Sequence, residues 1–181
     1  DEFEKYAGLF AEQGDFNIPQ SLTVGLLYDV TETVTLFLDY QHIWYNKVES
    51  VGNPFASPGL LGDDDGRGFG WRDIGTYRAA VLWRANEDWT FRAGYSYNDQ
   101  PIPKSEVLFN VLAPAVVEKH ITAGFTYSPS QSQELTVAYM HALNNDVEYT
   151  YEGSGSFTGF SYTAKNKMYQ NAIEASYAWK F

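Results

Sequence analysis

The chain has 181 residues, a formal net charge of -11, no cysteine, and a mean hydropathy of -0.36 despite 17% aromatic residues. That balance excludes a phosphate-reading surface, which needs clustered Lys and Arg, so no nucleic-acid partner is expected; it also excludes a disulfide framework or a thiolate metal site. The most apolar run, residues 107–117, is interrupted by Asn110 and Pro114 and falls well short of the roughly 20 residues of a membrane helix.

Residues 1–19 read as a loop segment. They carry neither an initiator Met nor a signal-peptide pattern, so an exported protein starting here would be mature or truncated. Apolar and polar residues then alternate with a period of two over about 20–30, 34–48, 73–85, 89–100, 118–128, 134–150 and 167–181, lengths near those that carry a tilted strand across a bilayer. In the first, Leu22, Val24, Leu26, Tyr28 and Val30 stand against Thr23, Gly25 and Asp29. In the third and fourth, Tyr77, Ala79, Val81 and Trp83, then Phe91, Ala93, Tyr95 and Tyr97, form the apolar side. Ile121, Ala123, Phe125 and Tyr127 continue it, followed by Leu135, Val137 and Tyr139, and finally Ile173, Ala175, Tyr177, Trp179 and Phe181.

A soluble β-sandwich alternates as well; the connections discriminate. Those at 31–33, 86–88 and 130–132 are short and those at 49–72, 101–117 and 151–166 are long, in strict alternation. Outer-membrane barrels have this pattern, with tight periplasmic turns and extended extracellular loops. Trp83, Trp89, Tyr127, Trp179 and Phe181 lie beside the short turns, and Tyr40, Trp44, Tyr45 and Tyr97 approach the long loops, which predicts two aromatic girdles. The expected fold is therefore all-β, an antiparallel transmembrane β-barrel in the bacterial outer membrane, ending at its natural last residue. Seven antiparallel strands cannot close, and an open edge in hydrocarbon leaves backbone groups unsatisfied, so further strands are expected upstream.

Several ordered motifs resemble one family. Leu9-Phe10-Ala11-Glu12-Gln13-Gly14, Phe69-Gly70-Trp71-Arg72-Asp73, Pro101-Ile102-Pro103, the stretch from Leu108 to Pro114, Ala138-Tyr139-Met140-His141-Ala142 and the terminal Tyr177-Ala178-Trp179-Lys180-Phe181 are similar to the C-terminal half of the FadL/TodX transporters of hydrophobic compounds. The resemblance implies a fourteen-stranded barrel of which these are the last seven strands, with an inward-folded hatch in the missing N-terminal half. It also implies passive transport of long-chain fatty acids or aromatic hydrocarbons, with no cofactor. Barrels of another class, a lipid hydrolase or a structural or adhesive porin, are the rivals.

The segment 101–117 is too apolar to face water. With Leu108, Phe109, Val111, Leu112 and Val116 it is expected either to meet Leu9, Phe10, Phe55, Leu60 and Leu61 in a greasy extracellular cleft that captures ligand, or to fold over the barrel mouth as a plug. Asp39, Arg78, Arg84, Arg92, Glu174 and Lys180 are expected to face the lumen and pair there, since a charge facing lipid costs about 2–4 kcal/mol near mid-bilayer; a polar ladder that orients a substrate carboxylate is the functional variant. Asp63, Asp64 and Asp65 offer hard oxygen donors, to calcium or to a cation bridging lipopolysaccharide, but lack EF-hand spacing, and a solvated acidic turn explains them better. His42, His120 and His141 show no metal-ligand spacing. His141 with Asn144 or Asn145 imitates part of a hydrolase site without a serine motif, and residues 66–70 read as a flexible loop rather than a phosphate cradle. Tyr177, Trp179 and Phe181 resemble the aromatic signal read by the barrel-assembly machinery, or simply complete the lipid face.

Overall fold

The computed structural model describes residue 8 and residues 10–14, 16–153 and 159–179. They form one antiparallel sheet of seven strands in sequential order: β1 (Ser21–Asp29), β2 (Val34–Ile43), β3 (Ile74–Arg84), β4 (Trp89–Asn98), β5 (Lys119–Ser130), β6 (Gln133–Glu152) and β7 (Ser161–Trp179). Every neighbour in space is a neighbour in sequence, the up-and-down meander of a barrel wall.

The register keeps the two faces separate across the sheet. Val24 lies opposite Tyr40, Tyr40 opposite Tyr77 and Tyr77 opposite Tyr97. Nearer the short turns, Phe91 pairs with Phe125, Phe125 with Val137 and Val137 with Ala175. A slip of one residue anywhere would invert all later side chains. This apolar face is open: Val24 is 63% exposed and Ile173 78%, and no second sheet covers it among the described residues. A contiguous apolar face of this extent is compatible with hydrocarbon rather than water.

The short turns have side-chain stops. Thr31 Oγ1 accepts from the backbone N–H of Thr33 and of Val34, and Asn86 Oδ1 accepts from those of Asp88 and Trp89, the ST- and Asx-turn chemistry that reverses a strand locally. The third reversal is tighter than expected, with only residues 131–132 between β5 and β6, and it follows a register shift between Tyr127 and Ser130. Above these turns the rings of Trp83, Trp89, Phe91, Phe125 and Tyr127 pack at centroid distances of 4.6–5.9 Å, and Tyr177 meets Trp179 at 4.6 Å. Toward the long loops, Tyr40, Tyr77 and Tyr97 form the second band. Phe181 and Lys180 lie outside the described residues.

Three boundaries differ from expectation. β2 ends at Ile43 instead of continuing to 48, because the chain turns into a one-turn 3-10 helix, Tyr45–Lys47, and a single α turn, Glu49–Gly52. The anchor is Asp73, whose Oδ1 accepts from the Asn46 N–H at 3.0 Å. Tyr45 therefore leaves the outer girdle and packs inward, edge-on to Trp71 at 5.0 Å.

Half of the expected loop 151–166 is strand. β6 runs to Glu152 and β7 starts at Ser161, so only residues 153–160 connect them. A register shift between Ala142 and Asn145 marks the point where this hairpin rises past the rest of the wall; such a bulge increases twist and re-aims side chains.

Candidate functional site: a roofed lumen cavity

The polar face of the sheet is concave in content as well as position: small residues make room and long loops fill it from one end. Gly94 is one of the spacers, since a Cβ there would come within 2.7 Å of Thr122 Oγ1. The resulting cavity is about 840 Å3. Its walls include Ile43, Ile74, Thr122, Met140, Met168 and Gln170, its floor Asp39 and Arg78, and its roof Tyr45, Trp71 and Ala113-Pro114-Ala115. Burial raises the pKa of the Tyr45 hydroxyl above the ordinary tyrosine value, since the anion would be poorly solvated there.

The roof is the true hydrophobic core of the chain. Ile102, Val107 and Val116 are buried against Val147 of the tall hairpin, with Trp71, Ala115, Ala164 and Met168 around them. Polar pins fix it. Asn166 Nδ2 donates to the Val107 carbonyl at 2.9 Å, Asn145 Nδ2 to that of Val116 at 2.8 Å, and the Tyr151 hydroxyl donates to Ser105 O while accepting from the Leu108 N–H. Loop 101–117 and residues 45–73 are joined by Asn110, which is fully buried. Its Nδ2 donates to the carbonyls of Phe69 and Glu106 at 2.7 and 2.9 Å, and its Oδ1 accepts the Trp71 indole proton at 2.6 Å. Glu106 adds a second tie, its Oε2 accepting from the Phe55 N–H at 3.0 Å. Gly70, at φ 68°, lies against it; a Cβ there would meet Glu106 Cγ at 2.5 Å, so a side chain is doubly disfavoured.

The expected apolar loop residues separate into three groups. Phe10, Phe55 and Phe109 do come together, with Phe10, Phe55 and Phe69 grouped around Phe109 and centroids 4.9–5.5 Å apart, and the segment carrying Phe10 is tied down by the Ala11 N–H on Arg67 O. Leu60, Leu61, Leu108, Val111 and Leu112 remain exposed, Leu60 by 75%. Val116 is instead fully buried in the roof core, because its side chain follows the loop's underside. Leu9 lies outside the described residues. Tyr45, Trp71, Met140 and Met168, which line the cavity, and Asn110, which holds the Trp71 indole, were not among the expected site residues; they come from sequence positions with no common motif.

The lumen charges pair less than expected. Arg78 Nη1 binds Asp39 Oδ1 at 2.9 Å, and its Nη2 donates to Gln41. Arg84 and Arg92 reach hydroxyls, Thr35 and Thr126, with Thr35 in turn donating to Asp29. Glu174 faces the same side opposite Ala138 and is exposed. Strand spacing explains the two arginines: Arg84 sits opposite Thr90, and Arg92 between Leu82 and Gly124, with no carboxylate across from either.

Asp63, Asp64 and Asp65 are exposed, and no metal-holding cluster of His, Asp or Glu occurs among the described residues. His141 lies on the outer face, where its Nδ1 and the Tyr139 hydroxyl share Asn171 Oδ1.

A model of the family described as outer membrane protein transport protein (OMPP1/FadL/TodX) matches residues 10–181. The chain belongs to that family. The long-chain fatty acid transport protein of Escherichia coli is 28% identical over 110 residues, 61% of this chain and 24% of that protein. Among solved structures, the toluene transporter TodX of Pseudomonas putida aligns with a TM-score of 0.62 at 21% identity, over 92% of this chain and 36% of its own. The toluene transporter TbuX of Ralstonia pickettii gives 0.54 at 18% identity, over 92% and 34%. A FadL homologue of Pseudomonas aeruginosa gives 0.59 at 11% identity, over 88% and 34%. These likenesses establish the barrel fold and, with the family match, an outer-membrane location. The chain spans about a quarter of the curated relative and about a third of the solved structures.

Proposed function

We propose that the protein carrying this chain conducts long-chain fatty acids or aromatic hydrocarbons passively across the outer membrane, with no cofactor and no covalent step. The observation that carries this is the largely apolar lumen cavity beneath a roof of apolar loops, read together with the family match. In this reading the long-loop end faces the cell exterior. The exposed Leu60, Leu61, Leu108, Val111 and Leu112 around the Phe10–Phe55–Phe109 cluster are the first apolar surface that a ligand meets, and the cavity walls receive it next. The remaining wall, seven further strands and a hatch, comes from the rest of the protein. Asp39, Arg78, Arg84, Arg92 and Glu174 keep the lumen wet and the wall in register.

Two partnerships complete the proposal. Tyr177, Trp179 and Phe181 serve as the signal taken up by the barrel-assembly machinery, and the acidic turn at Asp63, Asp64 and Asp65 meets lipopolysaccharide through bridging cations. Uptake of labelled fatty acid and of labelled toluene by cells that lack their own transporter and express the longer protein tests the activity. Uptake above the empty vector is expected; equality with it overturns the proposal.

A further inference from the structure

Two hollows share one lining residue. The first is the lumen cavity of about 840 Å3; the second is a notch of about 380 Å3 at the long-loop end, lined by Asn46, Pro54, Asp73, Pro103 and Glu106 among others. Among the described residues, Trp71 is the one that lines both. Its half-buried indole is held edge-on to Tyr45 at 5.0 Å and tilted to Phe69 at 6.4 Å, so it also touches the aromatic cluster of the loops. The ring's single polar atom is tied to Asn110 on the roof, and its backbone N–H donates to Val51 O at 3.0 Å.

The geometry points to Trp71 as a specificity-determining residue: its indole is the partition that sets how bulky a hydrophobic compound can be and still pass from the loop end into the lumen cavity. This rests on the transport reading above. A large flat ring fixed by one hydrogen bond at its edge closes a passage without filling it, and aromatic neighbours on either side offer an apolar solute continuous contact as it moves past. The carboxamide of Asn110 cannot retreat, because both of its other bonds go to backbone carbonyls; the stop is therefore stiff and its size is that of the side chain at position 71.

The test uses the longer natural protein in intact cells, in a cysteine-free background with a reporter cysteine replacing Met140 on the cavity wall. A small and a bulky maleimide are added from outside. The bulky reagent is expected to label several-fold faster with Trp71→Ala than with Trp71 present, while the small reagent changes little. Trp71→Phe, which keeps a ring between Tyr45 and Phe69, is expected to fall between. If Trp71→Ala gives no heat-modifiable folded barrel, the Trp71→Phe comparison decides alone. A bulky-reagent rate indifferent to residue 71 in folded barrels overturns the inference. Cells whose fatty-acid and toluene uptake stays at the empty-vector level while labelling follows residue 71 would retire the transport reading and keep the partition; uptake with indifferent labelling would do the reverse.

Discussion

Asn110 and Trp71 are joined by a 2.6 Å hydrogen bond whose acceptor is fully buried. The same carboxamide donates to Phe69 O and Glu106 O, so one side chain satisfies polar groups from both long loops, and nothing apolar of the same shape can replace it.

Asn110→Leu keeps the volume and removes all three bonds. Each buried group left unpaired costs about 1–3 kcal/mol, and because all three belong to loops, the loops should open while the wall stays intact. Limited proteolysis of membranes is expected to cut between residues 45 and 73 in the variant and not in the parent, with the heat-modifiable barrel band unchanged. Equal protection would show that this network does not hold the roof.

Ala79 and Ala80 are consecutive and identical in size, yet Ala79 points outward between Leu38 and Tyr95 and Ala80 inward between Phe37 and Gly94. Arginine at 79 should lose about 2–4 kcal/mol in lipid, whereas arginine at 80 faces the lumen side, near the charged floor of Asp39 and Arg78. Urea unfolding of vesicle-inserted protein is expected to rank parent, Ala80→Arg and Ala79→Arg in falling order. The opposite ranking of the two variants would invert the assignment of faces.

Asp39 and Arg78 form an ion pair with side chains 32% and 42% exposed. Water screens them, so a double-mutant cycle with Asp39→Ala and Arg78→Ala is expected to return a coupling below about 1 kcal/mol, shrinking further in high salt. A coupling of several kcal/mol would mean that the lumen around them is dry.

Tyr151 and Asn166 pin loop 101–117 to the tall hairpin. Tyr151→Phe combined with Asn166→Ala should speed amide exchange across residues 102–108 and leave β1 to β4 as protected as before. Lys165→Ala, on the other face where Lys165 pairs with Asp146 and Glu148, is the control and should change neither region.

The wall was legible in the sequence because strand periodicity is a local property that repeats: once Leu22, Val24 and Leu26 fix a face, each short turn hands the phase to the next strand, and the registers confirm it through Tyr177 and Trp179. The hairpin extension was also written there, in the alternation Val147, Tyr149, Tyr151 and in Lys165 and Lys167 opposite Glu148 and Asp146, but residues 151–166, with a Gly–Ser run at 153–156, read as loop. The cavity was not legible. Trp71 reaches Asn110 and shares the cavity with Met168 only because two loops fold over the sheet, and a loop's path is set by contacts between residues such as Asn110 and Phe69 that are 41 positions apart. Phe10, Phe55 and Phe109 were found from their type alone; Val116, the same type of signal, went to the core because hydrophobicity does not say which side of a loop is up.

The overshoot of β6 and β7 beyond the other strands makes the mouth of this half-barrel lopsided. On one side the ceiling is bolted to a two-stranded mast through Val147, Tyr151 and Asn166; on the other, Leu60 and Leu61 are exposed on a segment held by its own turns and by Gln13 and Asn53 side chains on its carbonyls. The roof is therefore braced from one side, and loosening of its loops should begin at the rim farthest from the mast.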